Sequence, residues 1–276
     1  MRWSHWLRHF EDNAERPVPV VEGKLTLSSE QRAALTLSLQ KFQLGETGEG
    51  RLAHQVDGFH GPGIDDDFRA CVKLFVREEG RHARILGLML RSQGVGLLRE
   101  HWSARSFGFF RRSIGVRTKL LVALAAEVVG GTFYGLLAEA VGPSSIAEAL
   151  RQIGQDEDAH LAFQTDFFAS QLTDPVRRAL WCWLWRGCGA AASAVVLLDH
   201  ATTFRVLGIS RTRAARQLWT RIEQVVAGVR SAPRPLPRDE GPAACAAPAK
   251  PAGRSPPSRR TASGPASRPS PAARAG

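Results

Sequence analysis

Two segments of this 276-residue chain carry a glutamate and a histidine three residues apart: Glu79-Gly80-Arg81-His82 and Glu157-Asp158-Ala159-His160. On a helix that spacing puts both side chains on one face, where they reach a single metal ion. Val72, Phe75, Val76 and Leu86 share the face of the first pair, and Ile153, Gln164 and Phe167 that of the second. These acids therefore point inward. A buried carboxylate without a partner protonates or weakens the fold, so inward acids in pairs imply a cation.

Two more positions complete the set. Glu127 is the only charge in the apolar stretch LLVALAAEVVGGTFYGLL, and Glu46 and Glu49 both lie on a stripe with Leu35, Leu39, Phe42, Ala53 and Val56. Counted from the turns, Glu79, Glu127 and Glu157 stand level; Glu46 matches that depth better than Glu49, which stays open as an alternative or shifting ligand. The expected ligands are Glu46, Glu79, His82, Glu127, Glu157 and His160. Four carboxylates balance two divalent ions. Oxygen and imidazole donors suit two iron ions, with manganese or a mixed pair as the variant, rather than a thiolate zinc site. Surface ion pairs are the competing account, and they leave Glu127 uncompensated.

Helices must position these residues, because strand signals are nearly absent. Ser28-Ser29-Glu30-Gln31 reads as a capping box opening a first long helix to about Val56. Asp65 caps a second, to about Gln93, and a third spans about Ile114 to Val141. Ser145 with Glu148 opens a fourth, to about Gln171. Asp174-Pro175 starts a fifth, to about Leu207, and Ser210 a sixth, ending near Val229. Short turns make the first two and the next two antiparallel hairpins. About twenty residues, Gly94 to Ser113, separate the hairpins, and a packed helix is expected within Leu97–Arg112. The expected fold class is all-α: a ferritin-like four-helix bundle with a long crossover, plus C-terminal helices and a disordered tail. The expected organisation is an N-terminal segment (1–26), the bundle (27–172), covering helices (173–230) and the tail (231–276).

At six ligand positions within about Leu27–Leu172, the chain resembles the ferritin-like di-iron carboxylate superfamily. Gly45-Glu46, and Glu127 with Tyr134 seven residues on, are similar to the rubrerythrin, aldehyde-deformylating and ubiquinone-hydroxylase branches. Ala53 departs from them where a tyrosine is usual, and no rubredoxin-like Cys₄ module is present. The resemblance implies an O₂-dependent oxidoreductase acting on an organic substrate, with O₂, a small apolar substrate and an electron donor as partners. Tyr134 would then hydrogen-bond a ligand or pass an electron; a plain core tyrosine is the alternative. Iron oxidation and storage on the same site is the rival reading, and a homodimer is left open.

Charge and cysteines bound the rest. The chain carries +11, with 37 Lys+Arg against 26 Asp+Glu. Residues 231–276 hold 11 of the 16 prolines and +6 of that charge, a composition too poor in apolar surface to fold. No aromatic interleaves the tail's arginines, so nucleic acid is not an expected partner. Cys71, Cys182, Cys188 and Cys245 form no CxxC pair and fit a reducing, cytoplasmic setting. The fifth helix, with Trp181, Trp183, Trp185 and the apolar run Gly187–Leu198, is read as covering the bundle rather than crossing a membrane, because Arg186 falls within it and the paired metal-site motifs lie upstream. A surface-lying, Trp- and Arg-rich N-terminus keeps peripheral membrane association open. Gly130 and Gly131, beside Glu127, suggest space at the site or close helix packing. Asp199-His200 is expected to cap a helix or face solvent.

Overall fold

The caps dictate most of the helices seen in the computed structural model, which describes residues 3–47, 50–102 and 115–231. Helix α1 spans Ser4–Ala14, α2 Ser29–Glu46, α3 Gly50–Gln55, α4 Asp66–Ser92, α5 Val116–Ala140, α6 Ser145–Gln171, α7 Pro175–Asp199, α8 Ala201–Val206 and α9 Arg211–Ser231. Among the described residues there is no strand. At the start of α2, Ser28 Oγ accepts from the Gln31 amide while the Gln31 side chain accepts from the Ser28 amide, a reciprocal cap. Asp65 and Asp174 likewise accept from the Phe68 and Arg177 amides, 2.9 and 2.8 Å away. Ser144, one residue before the expected position, caps α6.

Two expectations are corrected. The first long helix stops at Glu46 rather than Val56, because Gly45, Gly48 and Gly50 cluster there and Thr47 Oγ1 turns back to the Leu44 carbonyl at 2.7 Å. The fifth breaks at His200, where Lys41 Nζ draws on the Asp199 carbonyl and carboxylate, so α8 starts afresh. The N-terminal segment is itself helical. Trp3 and Phe10 of α1 are buried, with Trp3 packed on Phe68 and Phe10 on Phe163. The expected crossover helix falls largely on residues 103–114, and the expected tail on 232–276, outside the described residues.

Long-range contacts set the helix directions. Leu25 and Gln40, flanking and within α2, bond to Gln93 and Gly96, while Asp57 pairs with Lys73. So α2 runs against α4. Arg117 reaches Gln171, and Glu127 meets Gln164, so α5 runs against α6. Glu78 meets His160 and His82 meets Asp156, so α4 also opposes α6. Consequently α4 and α5 run in the same sense. Leu120, Leu124, Val128, Tyr134 and Leu137 of α5 share one buried core with Ile153, Phe163 and Phe167 of α6. Each such apolar side chain contributes about 1.5–3 kcal/mol.

Candidate metal centre

The i,i+3 spacing on α4 and α6 brings Glu79, His82, Glu157 and His160 together at the heart of the molecule. One donor atom from each lies within 4.8 Å of all the others, and all four side chains are buried. His160 Nδ1 is 3.0 Å from Glu79 Oε1, and His82 Nδ1 is 3.2 Å from Glu157 Oε1. Yet neither Nδ1 atom, nor Glu79 Oε1, makes a hydrogen bond. These atoms crowd one volume without pairing.

The other nitrogen of each ring is held from behind, by residues the sequence reading passed over. His82 Nε2 lies 3.2 Å from Asp156 Oδ2, and His160 Nε2 lies 3.1 Å from Glu78 Oε2. Each acceptor sits one residue before the other helix's inward glutamate. A carboxylate on Nε2 fixes the tautomer with its proton there and leaves the Nδ1 lone pair facing the cluster. The signal was available in Glu78-Glu79 and Asp156-Glu157, but one acid looks much like any other beside an inward neighbour. Arg16, from the segment after α1, joins the two halves: it hydrogen-bonds Asp156 and lies 3.6 Å from Glu78 Oε1. Arg81, between Glu79 and His82 in the motif, holds that segment through the Asn13 and Pro17 carbonyls at 2.8 and 3.1 Å.

The facing helices add their acids. Glu127 of α5 accepts from Gln164 at 2.9 Å and stands 3.5 Å from His160 Nδ1, beside Glu157. Glu46, half-buried at the end of α2, lies beside Glu79 and accepts from the Tyr134 hydroxyl at 2.5 Å. All six expected ligand residues are thus neighbours, with Tyr134 beside them. Glu49 lies outside the described residues.

Like charges this close cannot all ionise alone. Burial, with the charges of Glu157 and Glu79, lifts the Glu127 carboxyl well above the usual range, and burial with the charge of Glu79 does the same to Glu46. Burial would also raise Glu157, but Glu127 and the two imidazoles beside it hold it far below. Burial opposes a charge on His82, yet the Nε2 bond to Asp156 and the charges of Glu157 and Glu79 push it up to about 10; His160 rises for the same reason, among the carboxylates of Glu127, Glu157 and Glu78. Protons here occupy places that a cation can take.

Comparison with protein-family models, with curated proteins and with solved structures gave no match. The geometry therefore carries the chemical reading. Buried carboxylate and imidazole donors, three of them without a hydrogen-bond partner, form a set able to hold a metal ion.

The glycines beside the site divide in role. A Cβ at Gly130 would stand 3.6 Å from Glu157 Cδ and 3.3 Å from Tyr134 Cε2, so glycine lets both side chains of the cluster approach the α5 backbone. One at Gly131 would strike Arg221, so there glycine serves close packing. Asp199-His200 is corrected. Its imidazole is buried, Nδ1 is 2.7 Å from Ser38 Oγ, and Phe42 and Phe133 pack on it. That pair fastens the α7–α8 turn to α2, because Lys41 neutralises Asp199 where solvent would otherwise have to.

Proposed function

We propose that α2, α4, α5 and α6 form a ferritin-like four-helix bundle holding two divalent ions, iron or manganese, and that the protein is an O₂-dependent oxidoreductase for a small apolar organic substrate. One observation carries the reading. Two Glu-x-x-His helices cross so that each histidine is backed by an acid of the other helix, while both Nδ1 atoms face the shared carboxylates unpaired. Surface ion pairs do not orient imidazoles in this way.

Glu79, His82, Glu157 and His160 would hold the ions, with Glu46 and Glu127 closing from α2 and α5. Bound there, such ions supply the binding and reduction of O₂, with electrons from an external donor. The chain's own residues do the rest. Asp156 and Glu78 keep a proton on each Nε2, and Arg16 favours the ionised form of Asp156. Tyr134 donates to Glu46 Oε1 and orients that carboxylate. The apolar face of α5 excludes water, and Gly130 lets Tyr134 and Glu157 pack close to its backbone.

Metal analysis of protein purified without added metal tests this. The expected result is iron or manganese approaching two ions per chain, lost in a folded Glu79→Ala/Glu157→Ala variant. A metal-free protein, or equal loading of the double variant, overturns it. Aerobic addition of ferrous iron separates the rival: uptake continuing far beyond two irons per chain would mean storage.

A further inference from the structure

The outer face of α7 has no partner among the described residues. From Ala179 to Leu198 its single ionised side chain is Arg186, which Glu223 binds through both guanidinium edges at 2.6 and 2.7 Å. Val176, Leu180, Trp183, Leu184 and Leu198 are 49–74 % exposed, and the exposed residues between Leu184 and Leu198 are Gly187, Cys188, Ala190, Ala191 and Ala194. Helix α5 is comparably apolar, but 78 % of its most apolar stretch is buried against 28 % for α7. Soluble monomers rarely leave so continuous an apolar stripe in water.

Charge says what covers it. Arg177 and Arg178 stand on the first turn of α7. Helix α9 follows α6 in the same sense, through Asp158–Arg221 and the approach of Thr165 to Gly228, whereas α7 returns against α6, Phe168 meeting Trp181. The last turn of α9, with exposed Arg230, therefore comes toward the arginines of α7. An apolar helix face bearing a tryptophan and ending in arginines fits an anionic bilayer surface. A second copy would bring another +11 chain against it. We propose that α7 lies in the headgroup–acyl boundary of an anionic membrane, with Leu180, Trp183 and Leu184 among the acyl chains and Arg177, Arg178 and Arg230 against phosphates.

Flotation of the full chain with phosphatidylcholine vesicles, with and without a third of phosphatidylglycerol, tests this independently of the metal reading. Co-flotation is expected with the anionic vesicles, falling more than about tenfold in Leu180→Ser/Trp183→Ala and in Leu180→Glu/Trp183→Glu. Both pairs change exposed side chains, and circular dichroism with a thermal melt verifies their fold. Absence of flotation overturns the proposal. So does flotation unchanged in the variants, which would assign binding to another part such as the basic residues 232–276. A dimer in sedimentation that the variants dissociate, without flotation, overturns it in favour of self-association.

Discussion

Removing the Arg16 guanidinium should weaken metal binding without unfolding the protein. Arg16 hydrogen-bonds Asp156 and stands 3.6 Å from Glu78 Oε1, and those two acids receive the Nε2 atoms of His82 and His160. A hydrogen bond to a charged group is worth about 1.5–3 kcal/mol. Arg16 is 34 % exposed, so water and salt screen it, and the lower end applies. Loss of about 1.5 kcal/mol is roughly tenfold in affinity, at the low end of the 10–100-fold cost typical of groups that orient metal ligands. In Arg16→Ala both acids relax, and both imidazoles lose a fixed direction at once. The assay is competition for Mn²⁺ or Fe²⁺ against a chelator of known affinity, with wild type, Arg16→Ala, Arg16→Lys and Asp156→Asn in parallel. The lysine variant should recover part of the loss, since an ammonium keeps the charge, and both acids meet a single guanidinium nitrogen, Nη2. Wild-type affinity in a folded Arg16→Ala, alongside weakened Asp156→Asn, would refute the reasoning.

Glu127→Leu leaves the buried Gln164 amide without its acceptor and should destabilise the metal-free protein by about 1–3 kcal/mol, read as a lower melting temperature, while abolishing the rise that added metal gives the wild type. His200 supplies a pH test. Burial, then the Lys41 charge, lowers its pKa to about 4 in the folded state, against about 6.5 unfolded. Below pH 6.5 the unfolded chain takes up a proton that the native one refuses, so stability falls as pH drops toward 4, by on the order of 3 kcal/mol. In His200→Gln that fall should flatten, as urea midpoints at pH 7 and 5 will report; an unaltered slope would exclude the assignment. Cys188 is exposed, whereas Cys71 is buried with its thiol pushed up to about 12, so Ellman's reagent at pH 8 should titrate Cys188 quickly and leave Cys71 untouched until denaturation.

Local signals were legible in the sequence and distant ones were not. Ser28-Gln31, Asp65 and Asp174-Pro175 marked helix starts because a cap acts within three residues of itself. The two Glu-x-x-His pairs were readable because helical geometry alone puts both ends on one face. Glu127 stood out through contrast with its apolar neighbours. Arg16 did not, since its partners are 62 and 140 positions away and nothing near it differs from an ordinary surface arginine. Glu78 and Asp156 hid beside the acids that drew attention. The breaks at Glu46 and His200 depended on a glycine cluster and on Lys41, which hydrophobic periodicity does not register. The exposed face of α7 could not be distinguished from a buried one, because composition describes a helix without saying what lies against it.

The bond between Arg16 and Asp156 joins residues 140 positions apart. During synthesis at roughly 5–20 residues per second, the first part of the chain waits about 7–28 seconds for its counterpart to be made. Through that interval Phe10, which packs on Phe163, lacks that shelter, whereas Trp3 meets Phe68 of α4 sooner. The ribosome must complete α6 before the keystone behind the two histidines can drop into place.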